Sequence, residues 1–380
     1  MSSEDDTGDT GPFEEPETGP PEPFGLARST RSSSSWTRRP GSLSRSPPTP
    51  TCRPPSTSTA SPTRSASASR AATAATGSSR PRRASTVDIN RYDPDQTIHD
   101  LERLNLNNMV QDSAQVHDFM AYTVYRAMGV PCPWVGYAWV SVNGEVFGLY
   151  ALVEAYDDVF VGERWEDGSG NLYDGDYWLA EDWSYYVLLD FYASRHEYFQ
   201  LDEGTDVGWV DIAGVTAVLD ETAGTQDVDE ALDEVVVLDE VISMWASEVW
   251  LGHYDGYFYN TNNYRLYFDP ADGRATMMPW DQDWAFYRDT PITSPSGRIG
   301  ATCLGDISCR QRYGDAIDEV CSVTGGLGLE RTLDEVTDLV NPYVRDDPRR
   351  EISFPDAEYY QADLLDWISR RCGELEAAGL

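Results

Sequence analysis

Apolar positions in residues 113–128, SAQVHDFMAYTVYRAM, fall at Val116, Phe119, Met120, Val124 and Ala127, the spacing of a helix with one buried face. Asp112 or Ser113 can cap its start, and Gly129 with Pro131 ends it. Strand-like runs follow. WVGYAWVSV and EVFGLYALVE flank Asn143-Gly144, a pair suited to a two-residue turn, so a hairpin is predicted. Residues 228–251, VDEALDEVVVLDEVISMWASEVWL, read as one long helix or two short ones. YRLYF, a turn at Asp272-Gly273 and ATMMPWDQDW make a second hairpin. Residues 87–90 suit a strand, and the tail from about 326 to 380 is helical and acidic. Residues 175–220 are aromatic and mixed and resist division. This sequence of elements predicts an α+β fold.

Two stretches carry no apolar period. Residues 1–23 are acidic and rich in Pro and Gly, the composition of a disordered leader. Between Glu22 and Asp88 there is no acidic residue, in a chain with 65, and the same interval holds eleven Arg among Ser, Pro and Thr. It reads either as a basic linker or as a frame-shifted stretch of a GC-rich coding sequence. The boundaries expected are therefore 1–86 for this leader, 87–157 for a small lobe and 158–380 for a large lobe with a helical tail.

Charge narrows the partners. A net charge of -37 and a pI near 4.2 argue against nucleic acid and anionic membranes, which require a basic surface. All 28 basic residues are Arg, so Lys-based chemistry is excluded. No stretch approaches the roughly 18–20 apolar residues of a membrane span. Cys303 and Cys309 close a short loop and Cys321 can meet Cys372, as disulfides or as buried thiols. An extracellular or cell-envelope location is expected from the acidic leader and the Cys pattern, and it would need a signal peptide upstream of Met1.

The chemistry concentrates in GHYDGYFYNTNNYRLY, residues 252–267. His253-x-Asp255 is followed five residues after the Asp by Asn260, then by the second hairpin, at whose far end sit Asp281 and Asp283. Protein kinases use this order: one Asp near the acceptor hydroxyl, then an Asn and a second Asp holding Mg²⁺ against the nucleotide phosphates. Mg²⁺ takes few oxygens from protein, which suits Asn260 and Asp281 with Asp283 nearby. Like charges converging there need a cation. His253 reads as a structural histidine, Asn262 as a turn residue or a site residue, and Trp280 and Trp284 as packing. Asn107 and Asn108 can cap the 113–128 helix or face the nucleotide. A two-carboxylate glycosidase or glycosyltransferase reading of Asp281 and Asp283 leaves the His-x-Asp-x4-Asn pattern unexplained.

LERLNLNNMVQD, GVPCPWVGYAWVSVNGEVFGLYALVE, GHYDGYFYNTNNYRLY and MMPWDQDW resemble, in order, the signature blocks of the CotH kinase family, the spore-coat-protein-H-like atypical protein kinases. The resemblance covers roughly 87–290. It implies a diverged two-lobed protein-kinase-like fold, ATP with Mg²⁺, and a protein substrate with a Ser or Thr acceptor; separately, the surplus acid on 160–250 and 326–380 reads as a solvated surface that would also attract Ca²⁺. It also implies roles: Asp255 and Asp281 catalytic; Asn260, Asp281 and Asp283 at the metal; Asn263 and Glu154 at the nucleotide, with 154–157 as the connector to the adenine site. The family's Lys-bearing small-lobe block has no counterpart here, because its place is taken by the Arg/Ser/Pro stretch. A non-catalytic, coat-type binding protein of the same fold is the alternative.

Overall fold

The computed structural model describes residues 83–98, 101–180, 182, 184–222 and 227–379, together with a two-residue strand, β1 (Ala27–Arg28). The rest of the leader, the frame-shift question and Cys52 lie outside the described residues.

The first body contains β2 (Ser85–Asp88), β3 (Arg103–Asn107), α1 (His117–Ala127), β4 (Val135–Val142) and β5 (Glu145–Glu154). Its five-stranded sheet runs β1-β4-β5-β3-β2, antiparallel except where β1 meets β4. The turn between β4 and β5 has φ of 52° at Asn143 and 83° at Gly144, both positive as a type I′ turn requires. β3 lies inside the LNLNN block, where no strand was expected. Helix α1 starts four residues later than its pattern suggests. Gln115, at φ 63°, turns the chain sharply, and the Asp112 carboxylate accepts the backbone N–H groups of Gln115 (2.6 Å) and His117 (2.7 Å). Asp112 therefore caps from a preceding turn and not from the adjacent position.

The second body begins with α2 (Asp158–Arg164) and β6 (Asn171–Asp174). The segment that resisted division holds β7 (Trp178–Leu179), β8 (Tyr186–Val187), a 3₁₀ turn at Ala193–Tyr198, β9 (Gln200–Glu203) and α3 (Val210–Thr222). Then come α4 (Val228–Asp233), α5 (Leu238–Leu251), α6 (Tyr257–Asn260), β10 (Tyr264–Phe268) and β11 (Ala275–Pro279). Its sheet runs β11-β10-β6-β9 and is wholly antiparallel. The 228–251 helix is two helices for a visible reason. Residues 235–237 run beside β11, with Ala275 N–H donating to Val235 O and Val237 N–H to Ala275 O, both at 2.9 Å. Those backbone groups serve the sheet edge and cannot also serve a helix.

Four helices complete the chain: α7 (Arg298–Gly305), α8 (Ile307–Leu327), α9 (Leu329–Asp346) and α10 (Phe354–Ala378). Disulfides Cys303–Cys309 and Cys321–Cys372 tie α7 to α8 and α8 to α10, while Cys132 is a buried free thiol. The α9–α10 link returns to the first body. Buried Asp347 accepts the Leu149 N–H (2.9 Å), and a Cβ on Gly148, whose φ is 104°, would collide with that carboxylate. Among the described residues no helix is long and apolar enough to cross a membrane.

Candidate functional site

Helix α5 ends at Gly252 in the left-handed region, and the chain turns through 253–256 into α6. Glu248, on the last turn of α5, fixes this path: its carboxylate accepts the N–H groups of Tyr257 (3.0 Å) and Phe258 (2.7 Å) at the start of α6. Burial pushes Glu248 up to about 8 despite those two donors. Thr261 (φ 50°) and Asn263 (φ 52°) then fold the backbone back upon itself. As a result three side-chain amides converge on Asp255. Asn260 donates to Oδ1, and Asn262 and Asn263 each donate to Oδ2 at 3.1 Å. Burial raises the Asp255 pKa above its ordinary value, and the three amides oppose that rise. With its NH₂ turned to Asp255, the Asn260 amide presents its oxygen elsewhere.

The second hairpin joins this cage through Trp280, whose N–H donates to the carbonyl of Asn263 (2.8 Å). Asp281 follows at φ 44°, a backbone state that a non-glycine residue adopts only under constraint. Residues of the first body supply the constraint. Asp118 of α1 accepts the Gln282 N–H (3.0 Å), and the Asn107 amide, at the end of β3, bridges Asp118 and Asp283 at 2.9 Å each. His117 Nδ1 lies 2.9 Å from the Asp283 carbonyl. Burial, then the charges of Asp118 and Asp255, push Asp281 up to about 7; burial pushes Asp118 up to about 6. Asp281 thus feels the charges of both Asp118 and Asp255.

The residues expected at the site are distributed as follows. Asp255, Asn260 and Asn263 come together, and Asp281 is near enough to feel the charge of Asp255. Asp283 is engaged by the Asn107 amide that it shares with Asp118, and it feels the charge of Asp281. Asn262, left open between turn and site, belongs to the cage, and its own oxygen accepts the Tyr177 N–H (2.9 Å). Glu154 ends β5 with its carboxylate engaged by the Trp134 N–H (2.9 Å) and both terminal nitrogens of Arg164 (3.1 and 2.7 Å). His253 is buried with neither ring nitrogen paired, and burial lowers its pKa to about 3. It is neutral and packed, as a structural histidine would be. Trp280 packs edge-on against Tyr156, with the Arg265 guanidinium over its ring. Asn107 does not cap α1; it clamps two acids.

Among the described residues no three Asp, Glu, His or Cys side chains form a ready-made metal cage. The donor set instead offers Asp281 and the Asn260 oxygen, with further carboxylates nearby whose pKa values are raised by burial and then by mutual repulsion. That suits a hard divalent cation held by few protein oxygens and completed by a ligand. Sequence reasoning missed Asp118, Asp176 and Glu248. The first and last sit on helices where an acid reads as a solvated face.

A family model described as CotH kinase protein matches residues 75–372. The inner spore coat protein H of Bacillus subtilis (strain 168) is 23% identical over 216 residues, covering 55% of this chain and 57% of that protein. The chain therefore spans less than two thirds of that relative's length. Among solved structures, HipA in its complex with HipB and operator DNA from Shewanella oneidensis MR-1 overlaps at a TM-score of 0.36 and 11% identity, over 78% of this chain and 67% of that one. The proinflammatory kinase CtkA of Helicobacter pylori overlaps at 0.27 and 8%, over 74% and 91%. Both overlaps are loose.

Proposed function

Because the chain belongs to the CotH kinase protein family, we propose that it is an atypical protein kinase moving the γ-phosphoryl group of ATP to a Ser or Thr hydroxyl of a protein. The observation that carries this reading is Asp255 held in one orientation by three asparagine amides, with Asp281 delivered beside it by the following hairpin.

In this reading the acceptor hydroxyl lies against Asp255. Its oxygen forms a bond to the γ-phosphorus as the bond to the β–γ bridging oxygen breaks, and ADP leaves. The hydroxyl proton passes to the Asp255 carboxylate, whose raised affinity for protons suits that task. Asp281 and the Asn260 oxygen would hold Mg²⁺, which neutralises phosphate charge when bound. Asp118, Asn107 and Asp283 keep the Asp281 loop in its constrained backbone state. Glu154, with its side chain taken by Arg164, fixes the 154–157 connector, whose backbone would line the adenine. Asn263, expected at the nucleotide, donates its amide to Asp255 and helps to hold that carboxylate in place.

One observation favours a second reading, a non-catalytic binding protein of the same fold: the chain has no Lys to contact phosphate, and Arg is a poor substitute for a point charge. The likeness to an inner spore coat protein fits a coat or cell-envelope location for either reading. Incubation with γ-labelled ATP, Mg²⁺ and a Ser-rich acceptor separates them. The kinase reading expects label on the acceptor that a chelator abolishes. No label, and no thermal shift with nucleotide, would leave the binding protein.

A further inference from the structure

One buried acid near the site takes no part in the arrangement described so far. Asp176 follows β6 on the short link to β7 and is only 7% exposed, yet its Oδ1 has no hydrogen-bond partner. Its neighbours are otherwise well supplied. Asp174 Oδ1 accepts the Asp176 N–H (2.7 Å) and the Arg265 guanidinium (2.6 Å). The next residue, Tyr177, donates its N–H to Asn262, which in turn donates to Asp255. The link is therefore pinned on one side by Arg265 and on the other by the amide cage. Asp176 is held where it feels first the charge of Asp174, opposed by Arg265, and then those of Asp281 and Asp255.

A buried carboxylate oxygen without a donor is costly, on the order of 1–3 kcal/mol or more, and a rigid backbone that keeps it beside two other acids adds repulsion. The charge of Arg265 offsets part of this repulsion, but its guanidinium donates to Asp174 and to the Tyr264 carbonyl and leaves the Asp176 oxygen without a donor. An oxygen of this kind is accounted for by a cation that arrives with the ligand.

We propose that Asp176 is a cation-binding carboxylate of this site, supplied by the β6–β7 link and acting with Asp281 on a divalent ion. The inference rests on the phosphotransfer reading only for the identity of the site; the ion can be measured without turnover.

The test titrates Mn²⁺ by calorimetry into the full chain and its Asp176→Asn and Asp281→Asn variants, with and without a non-hydrolysable ATP analogue. Thermal melts in chelator run in parallel. Asp176→Asn is expected to weaken Mn²⁺ binding at least about tenfold, and to melt in chelator no lower than the parent chain. Unchanged Mn²⁺ affinity in Asp176→Asn, alongside a loss in Asp281→Asn, would overturn the role of Asp176 and leave the phosphotransfer reading standing. Should Asp176→Asn not fold, Asp176→Glu decides. It keeps the charge but moves the oxygen, so altered Mn²⁺ affinity supports the proposal and unaltered affinity overturns it. A parent chain that binds no Mn²⁺ even with the analogue would overturn both.

Discussion

At the scale of single residues, Asp255 and His253 stand two positions apart and have opposite fates. Asp255 is partly open and caged by amides; His253 is buried, neutral and without a hydrogen bond. Asp255→Asn should therefore lower label transfer by about 10²–10⁴-fold, the range for loss of a positioned base. His253→Gln should change it by less than about tenfold at equal folded fraction. A reversed order would move the catalytic role to the imidazole. Both residues were visible in the sequence, because His-x-Asp-x4-Asn before a hairpin has a chemical reason for its spacing. Asp118 and Asp176 were not visible. An acid on a helix or in an Asp-Gly-Asp link carries no periodic signal, and only the fold brings it to the site.

At the scale of elements, strong local signals were legible and tertiary ones were not. Asn143-Gly144 announced its hairpin because the turn chemistry is confined to two residues. The break between α4 and α5 was open because its cause, pairing of 235–237 with β11, comes from residues some forty positions away. The anchoring of α9–α10 on β5 had no sequence signal at all. It depends on Gly148, where positive φ and the Asp347 carboxylate both exclude a side chain. Gly148→Ala should cost about 2–4 kcal/mol of unfolding free energy, read as a lower urea midpoint with little change in slope. A cost below about 0.5 kcal/mol would show that the anchor is not rigid.

At the scale of the whole molecule, the surplus of acid reaches into the interior. Asp281 and Glu248 hold protons up to about 7 and about 8 in the folded chain, whereas the unfolded chain releases them near 4. The folded state therefore binds more protons than the unfolded one, and stability falls as pH rises through that interval. His253 acts in the opposite sense, but only below its unfolded value near 6.5. Between pH 6.5 and 8, then, the melting temperature in chelator should fall, and saturating Mg²⁺ should reduce the fall by compensating Asp281. A flat or rising profile would mean these carboxyls are not buried as described. The central claim is that Asp281 and the cage around Asp255 share one cation. Crystals soaked with Mn²⁺ and a non-hydrolysable ATP analogue test it most directly, through anomalous scattering. The account predicts a peak within coordinating distance of Asp281 and next to Asn260; a peak elsewhere, or nucleotide bound with no peak there, would contradict it.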